Sequence, residues 1–188
     1  AQIFDNGTPL LFEVVLADTY KGLRGVRVPL NLELVSDDTG ERLFVQKLMV
    51  YTCQFFPEMK QNITPELPGM TWNGEAWAED EVKQWQGRDE VTFLPDDFTA
   101  LQEAYTVPSL FLQPVNLVES WKVTWMTTGG TMASYETGGT DLGGQTERHK
   151  NKWKPPQSDS ATEQDIDFYF GVRDGRGGQS WLIRHAHW

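Results

Sequence analysis

The chain has 188 residues, with 27 acidic against 16 basic side chains, a formal net charge of -11 and a sequence pI near 4.6. That balance offers no basic patch to a nucleic-acid backbone or an anionic membrane surface. Hydrophobic residues make up 39% and are spread along the chain, which excludes an acidic disordered tail, and no apolar run reaches the ~18 to 20 residues of a membrane-spanning helix.

Hydrophobic periodicity is mostly two, the period of a half-buried strand. Leu11 to Leu16 reads as a first strand and Val26 to Val35 as a longer one, with Leu30, Leu32 and Leu34 on one face and Asn31 and Glu33 on the other. Pro29 places that strand at an edge, because proline cannot donate to a ladder. Asp37-Asp38-Thr39-Gly40 is turn chemistry, and Arg42 to Phe56 returns as the hairpin partner. Lys60 to Gly69 is a connector. A short strand at Thr71-Trp72 precedes Asn73-Gly74, a strong hairpin-turn dipeptide, and Asp89 to Leu94 is another strand. Asp97 to Tyr105 is the best helical segment, one or two turns long, and no long helix is expected.

The C-terminal third alternates more cleanly. Ser120 to Met126 places Trp121, Val123 and Trp125 on one face, while Thr127 to Gly144, with six glycines, reads as a long loop or a ragged sheet edge. A short strand ends at Trp153 before Pro155-Pro156, and Gln157 to Gln164 is polar loop. Asp165 to Arg173 turns Ile166, Phe168, Phe170 and Val172 inward, Asp174 to Gly178 reverses the chain, and Ser180 to His187 closes it. Many short strands at this spacing predict an all-β fold, an immunoglobulin-like β-sandwich with extra N-terminal strands and little helix. The expected division is residues 1–60, a partial or packed set of strands, and residues 61–188, the sandwich domain.

From about Asn62 to Trp188 the chain resembles immunoglobulin-like and PKD-like modules repeated in secreted proteins and lipoproteins of myxobacteria and related bacteria. The motifs carrying the resemblance are Val172-Arg173-Asp174-Gly175-Arg176-Gly177-Gly178 followed by Ser180-Trp181-Leu182-Ile183, Glu119 to Trp125 with Thr128-Gly129-Gly130-Thr131, and Asn151 to Pro156. These are turn and core signatures. The resemblance implies a non-catalytic sandwich displayed outside the cytoplasm, and it assigns no active site.

Residues that carry chemistry are few. Cys53 is the single cysteine, so no intrachain disulfide forms, and its apolar neighbours make it a small buried hydrophobe. Asp38-Thr39-Gly40 matches the core of aspartic proteases, but Glu41 follows where a small residue is usual, and a hairpin turn accounts for the triplet. His185 and His187 lie two apart on the closing strand and share a face, and with His149 they are the only histidines, a candidate Zn²⁺ or Cu²⁺ set. Acidic clusters at Glu79-Asp80-Glu81, Asp96-Asp97 and Asp165-Ile166-Asp167 with Asp174 are candidates for Ca²⁺. Eight tryptophans exceed what one small core hides; packing takes Trp121, Trp125 and Trp181, which leaves Trp77, Trp85 and Trp188 as the candidate surface for a glycan or a protein partner. No nucleophile elbow, metalloprotease pair, phosphate loop or dinucleotide fingerprint occurs.

The resulting expectation is a non-enzymatic, extracytoplasmic structural or adhesive protein, secreted, periplasmic or on the cell surface. It needs no cofactor and acts through a protein partner or self-assembly. The alternative is a binding module for a glycan or a metal ion, with a hydrolase third.

Overall fold

A computed structural model describes residues 13, 16, 25–52, 54–139, 146–156 and 164–188. Cys53, most of the first 24 residues, and parts of the expected loops at 127–144 and 157–164 lie outside them. The protein is all-β. Its strands in chain order are β1 (Val26–Val35), β2 (Arg42–Tyr51), β3 (Met70–Trp72), β4 (Glu75–Ala76), β5 (Val82–Gln84), β6 (Val91–Pro95) and β7 (Ala104–Pro108). These are followed by β8 (Pro114–Val118), β9 (Lys122–Thr127), β10 (Thr131–Met132), β11 (Glu136–Gly138), β12 (Asn151–Lys154), β13 (Asp165–Arg173) and β14 (Gln179–His187). They fall into two compact units, one made of Ala1–Lys60 and Tyr105–Leu117, the other of Gln61–Ala104 and Val118–Trp188.

The second unit is a β-sandwich of two five-stranded sheets, ordered β10-β12-β6-β3-β4 and β11-β9-β13-β14-β5. Period-two alternation builds it. Along β13 the residues Ile166, Phe168, Phe170 and Val172 are fully buried, and on β9 Val123 and Trp125 join them. The opposite sheet supplies Met70, Trp72, Val91, Phe93 and Trp153. Aromatic rings meet edge to face between the layers: Phe93 and Phe168 centroids are 5.2 Å apart, Trp153 and Phe168 5.1 Å, and Phe93 and Phe170 5.6 Å. Such pairs add ~0.5 to 1.5 kcal/mol each beyond the area they bury. Pairing is antiparallel except where β5 joins β14 in parallel as the edge strand, Val82 opposite His185.

Asn73 and Gly74 both take positive φ, 52° and 87°, the conformation a tight two-residue hairpin turn demands. Several expectations are corrected. Asp97 to Tyr105 is not a helix beyond the 3-10 turn Thr99–Leu101. The Asp97 carboxylate accepts from the Thr99 amide at 2.9 Å, a local bond that competes with helix growth, and β7 begins at Ala104. Of the two readings of the stretch from Thr127, the described residues take the ragged edge: Thr131 and Met132 pair with β12 and Glu136 to Gly138 with β9, each as the short edge strand of its sheet. Of the strand expected over Leu11 to Leu16, only Glu13 and Leu16 are described, and their backbone is helical. A short apolar run fits either period.

The first unit contains two hairpins. In the first, β1 and β2 pair in full register from Val26 opposite Tyr51 to Val35 opposite Arg42. Ser36 closes the turn by accepting from the Gly40 amide and donating to the Glu41 carbonyl, each at 2.9 Å. In the second, β7 and β8 pair around Ser109 to Gln113, with the Thr106 hydroxyl donating to Asn116 at 2.8 Å.

Candidate functional site

Two surfaces and two buried clusters hold the residues with functional potential. The first surface is one face of the β1–β2 hairpin. Residues opposite each other in an antiparallel pair share a face, so Val26, Val28, Leu30, Leu32 and Leu34 lie with Leu43, Val45, Lys47, Met49 and Tyr51. Nine of these ten are apolar. Leu30, Leu32, Leu34, Leu43, Val45, Met49 and Tyr51 remain 37 to 59% exposed. The other face carries Asn31 bonded to Gln46 at 2.9 Å and the Glu33–Arg42 ion pair at 2.8 Å, along with Phe44 and Leu48. The Asp38-Thr39-Gly40 triplet is the exposed turn of this hairpin, where the Thr39 hydroxyl accepts from the Glu41 amide at 3.3 Å. The tip of the β7–β8 hairpin is also apolar: Leu110 is 80% and Phe111 86% exposed.

The second surface is the outer face of the sheet that contains β13 and β14. Its rungs are Asp165 with His187, Asp167 with His185, Tyr169 with Ile183, and Gly171 with Trp181. Each His Nδ1 lies 2.8 Å from the carboxylate across the rung. The Trp181 ring lies over Gly171, where a Cβ would come within 2.6 Å of the indole, and Trp181 stays 45% exposed. Beyond Gly171, Glu136 links Lys122 and Arg173, and the ammonium of Lys122 beside it holds the Glu136 carboxyl below its usual range.

Of the expected tryptophan surface, Trp77 is corrected. Trp77 is 2% exposed and packs between Trp72 and Phe168, with its indole N–H donating to the Glu81 carbonyl at 3.0 Å. Trp85 and Trp188 are partly buried against the same core. Trp181, expected to be taken up by packing, faces outward. The sequence signal was the glycine directly across the strand pair, which an aromatic ring covers.

The three histidines do not converge. His185 and His187 are on the outer face, whereas His149 is fully buried against Phe98 at 5.0 Å between ring centroids. Its Nδ1 lies 3.3 Å from the Thr137 hydroxyl, and its Nε2 has no hydrogen-bond partner among the described residues. Burial pushes its pKa down to about 4, against the opposing pull of a hydrogen bond with the Thr137 backbone. Among the described residues no group of three or more His, Cys, Asp and Glu is placed to hold a metal ion.

Several of the carboxylates considered for calcium are engaged by protein donors. Asp174 accepts from the Asn62 amide at 2.6 Å and from the backbone amides of Arg176 and Gly178, and Glu81 pairs with Lys83 at 2.5 Å. Sequence reasoning missed a buried ionic cluster nearby. The Arg176 guanidinium donates to Glu103 at 3.0 Å and Glu119 at 2.9 Å. Glu119 also accepts from the Trp121 indole at 2.9 Å and the Glu103 amide at 3.1 Å, and Glu103 from the Ile63 amide at 3.1 Å. Two carboxylates on one guanidinium, each further fixed by N–H donors, form a brace between loops. No helix among the described residues is long and apolar enough to cross a membrane. No family model matches the chain, and no curated protein or solved structure matches it significantly.

Proposed function

We propose that this is a non-enzymatic, extracytoplasmic structural or adhesive protein, an immunoglobulin-like sandwich that works as a subunit of a surface or periplasmic assembly. One observation carries the reading: the apolar face of the β1–β2 hairpin. An isolated two-stranded ribbon is marginal in water, and a contiguous exposed apolar face of this kind marks a docking surface. The engagement of the histidines and carboxylates by one another and by backbone amides favours a structural over a catalytic use. Light scattering across the micromolar range tests the proposal. A defined oligomer or filament supports it. A strict monomer whose hairpin face takes up no apolar dye overturns it.

The Trp181 rung favours a second reading, a glycan-binding strip. A half-exposed indole held flat on a sheet offers a stacking platform for a pyranose ring, and Tyr169 and the His185–Asp167 pair on the adjoining rungs offer hydroxyl partners. Titration with neutral β-linked oligosaccharides should then shift the tryptophan emission of the native protein, and Trp181→Ala should abolish the shift while leaving the fold intact. An unchanged emission at millimolar sugar, or an equal response in Trp181→Ala, removes this reading.

A further inference from the structure

We infer that the apolar face of the β1–β2 hairpin is covered by the same face of a second copy of this chain, stacked antiparallel about a two-fold axis. The inference rests on the docking reading above and names its partner. The first argument is area. Leu30, Leu32, Leu34, Leu43, Val45, Met49 and Tyr51, each about half exposed, present roughly 600 Å² per copy, hence roughly 1,200 Å² for a symmetric pair, where stable specific interfaces begin. A self-complementary apolar face also suits an isologous contact, in which the same patch serves both partners.

The second argument is charge. Lys47 is the only charged residue on this face and forms no ion pair among the described residues. The hairpin turn beyond the face is acidic, with Asp37, Asp38 and Glu41. An axis lying across the strands at the Leu32–Val45 rung sets β1 over β1 and β2 over β2 in opposite directions. Lys47 of each copy then lies over Leu43 of the other, one rung short of Glu41 on the same strand, within reach of its carboxylate. A parallel stack would instead bring the two acidic turns together. The acidic turn also repels an anionic lipid surface, which argues against a membrane as the occupant.

The test is sedimentation equilibrium of the full chain with substitutions on each face. The native protein should be a dimer in the micromolar range. Leu32→Glu, at the axis, should raise the dissociation constant at least about a hundredfold. Phe44→Glu on the opposite face should leave it unchanged. Lys47→Glu should weaken the dimer about tenfold, and adding Glu41→Lys should restore it, since the pair is then reversed rather than lost. Near-ultraviolet circular dichroism of the tryptophan-rich sandwich verifies folding of each variant. A native dimer indifferent to Leu32→Glu, or failure of the reversed pair to recover, overturns the inference. So does a native monomer at hundred-micromolar concentration. In that case, apolar-dye binding lost in Leu32→Glu would leave the docking reading standing with a different protein partner. Co-sedimentation with phosphatidylcholine vesicles, lost in Leu32→Glu, would replace both readings by a lipid surface.

Discussion

Replacing Glu119 by alanine is expected to destabilise the sandwich by about 3 to 5 kcal/mol, a large share of the stability of a domain this size. The carboxylate is almost fully buried and holds three donors at once: the Arg176 guanidinium, the Trp121 indole N–H and the Glu103 amide. Truncation takes one of its carboxylates from a poorly exposed cation and orphans two N–H groups, and an unmet buried donor costs about 1 to 3 kcal/mol. Glu119→Gln keeps an acceptor oxygen and the shape but not the charge, so its cost should be smaller. The double variant Glu119→Leu/Arg176→Met strands the Glu103 carboxylate without its cation and leaves the same two N–H groups unmet, so it should recover only a minor part of the loss. Urea unfolding at neutral pH decides the matter. A Glu119→Ala loss below about 1 kcal/mol would show that the brace does not hold the loops.

This brace shows where sequence reasoning stops. Alternation made the long strands legible: β13 and β9 carry inward Ile166, Phe168, Phe170, Val172, Val123 and Trp125 as the period of two requires. Asn73-Gly74 announced its turn through the need for positive φ at both positions. By contrast β7 and β8 were not visible, because Pro108 and Pro114 at their ends suppress a strand reading and the short apolar stretch between them reads as loop. β10 and β11 are two and three residues long, too short to express any period, and exist only through their partners. Glu103, Glu119 and Arg176 are far apart in sequence, and nothing local marks them for burial together. The surfaces divide in the same way. The Leu30, Leu32, Leu34 face was plain from spacing, but spacing does not say whether a strand's apolar face is covered. Trp77 and Trp181 were misassigned for that reason: Trp77, expected in a loop and exposed, is held inside by Trp72, Phe93 and Phe168, while Trp181 shares the outward parity of Ile183, His185 and His187 on β14, and its ring lies over Gly171.

His149 makes the stability of the fold depend on pH in a direction that can be worked out. Its ring is fully buried, packed by Phe98 and so close to Gly138 that a side chain there would collide with it. Burial penalises the imidazolium, so the folded pKa of about 4 lies below the ordinary 6.5 of the unfolded chain. Above pH 6.5 both states are neutral at this residue and its neutral burial is fully compatible with folding. Between pH 6.5 and 4 the unfolded chain takes up a proton that the folded one refuses, and stability falls as the pH falls. One proton over that interval amounts to about 3 kcal/mol between pH 7 and pH 4. Carboxylates held below their usual range, Glu136 and Glu90 among them, also lose stabilising charge on acidification, so the histidine contribution must be isolated. His149→Gln does this, since it fills much of the same space and cannot titrate. Urea unfolding at pH 7 and pH 4 should show the native protein losing about 3 kcal/mol more than His149→Gln. Equal losses in the two proteins would mean that the imidazole charges inside the folded state, and that the packing around Phe98 and Gly138 admits enough water to solvate it.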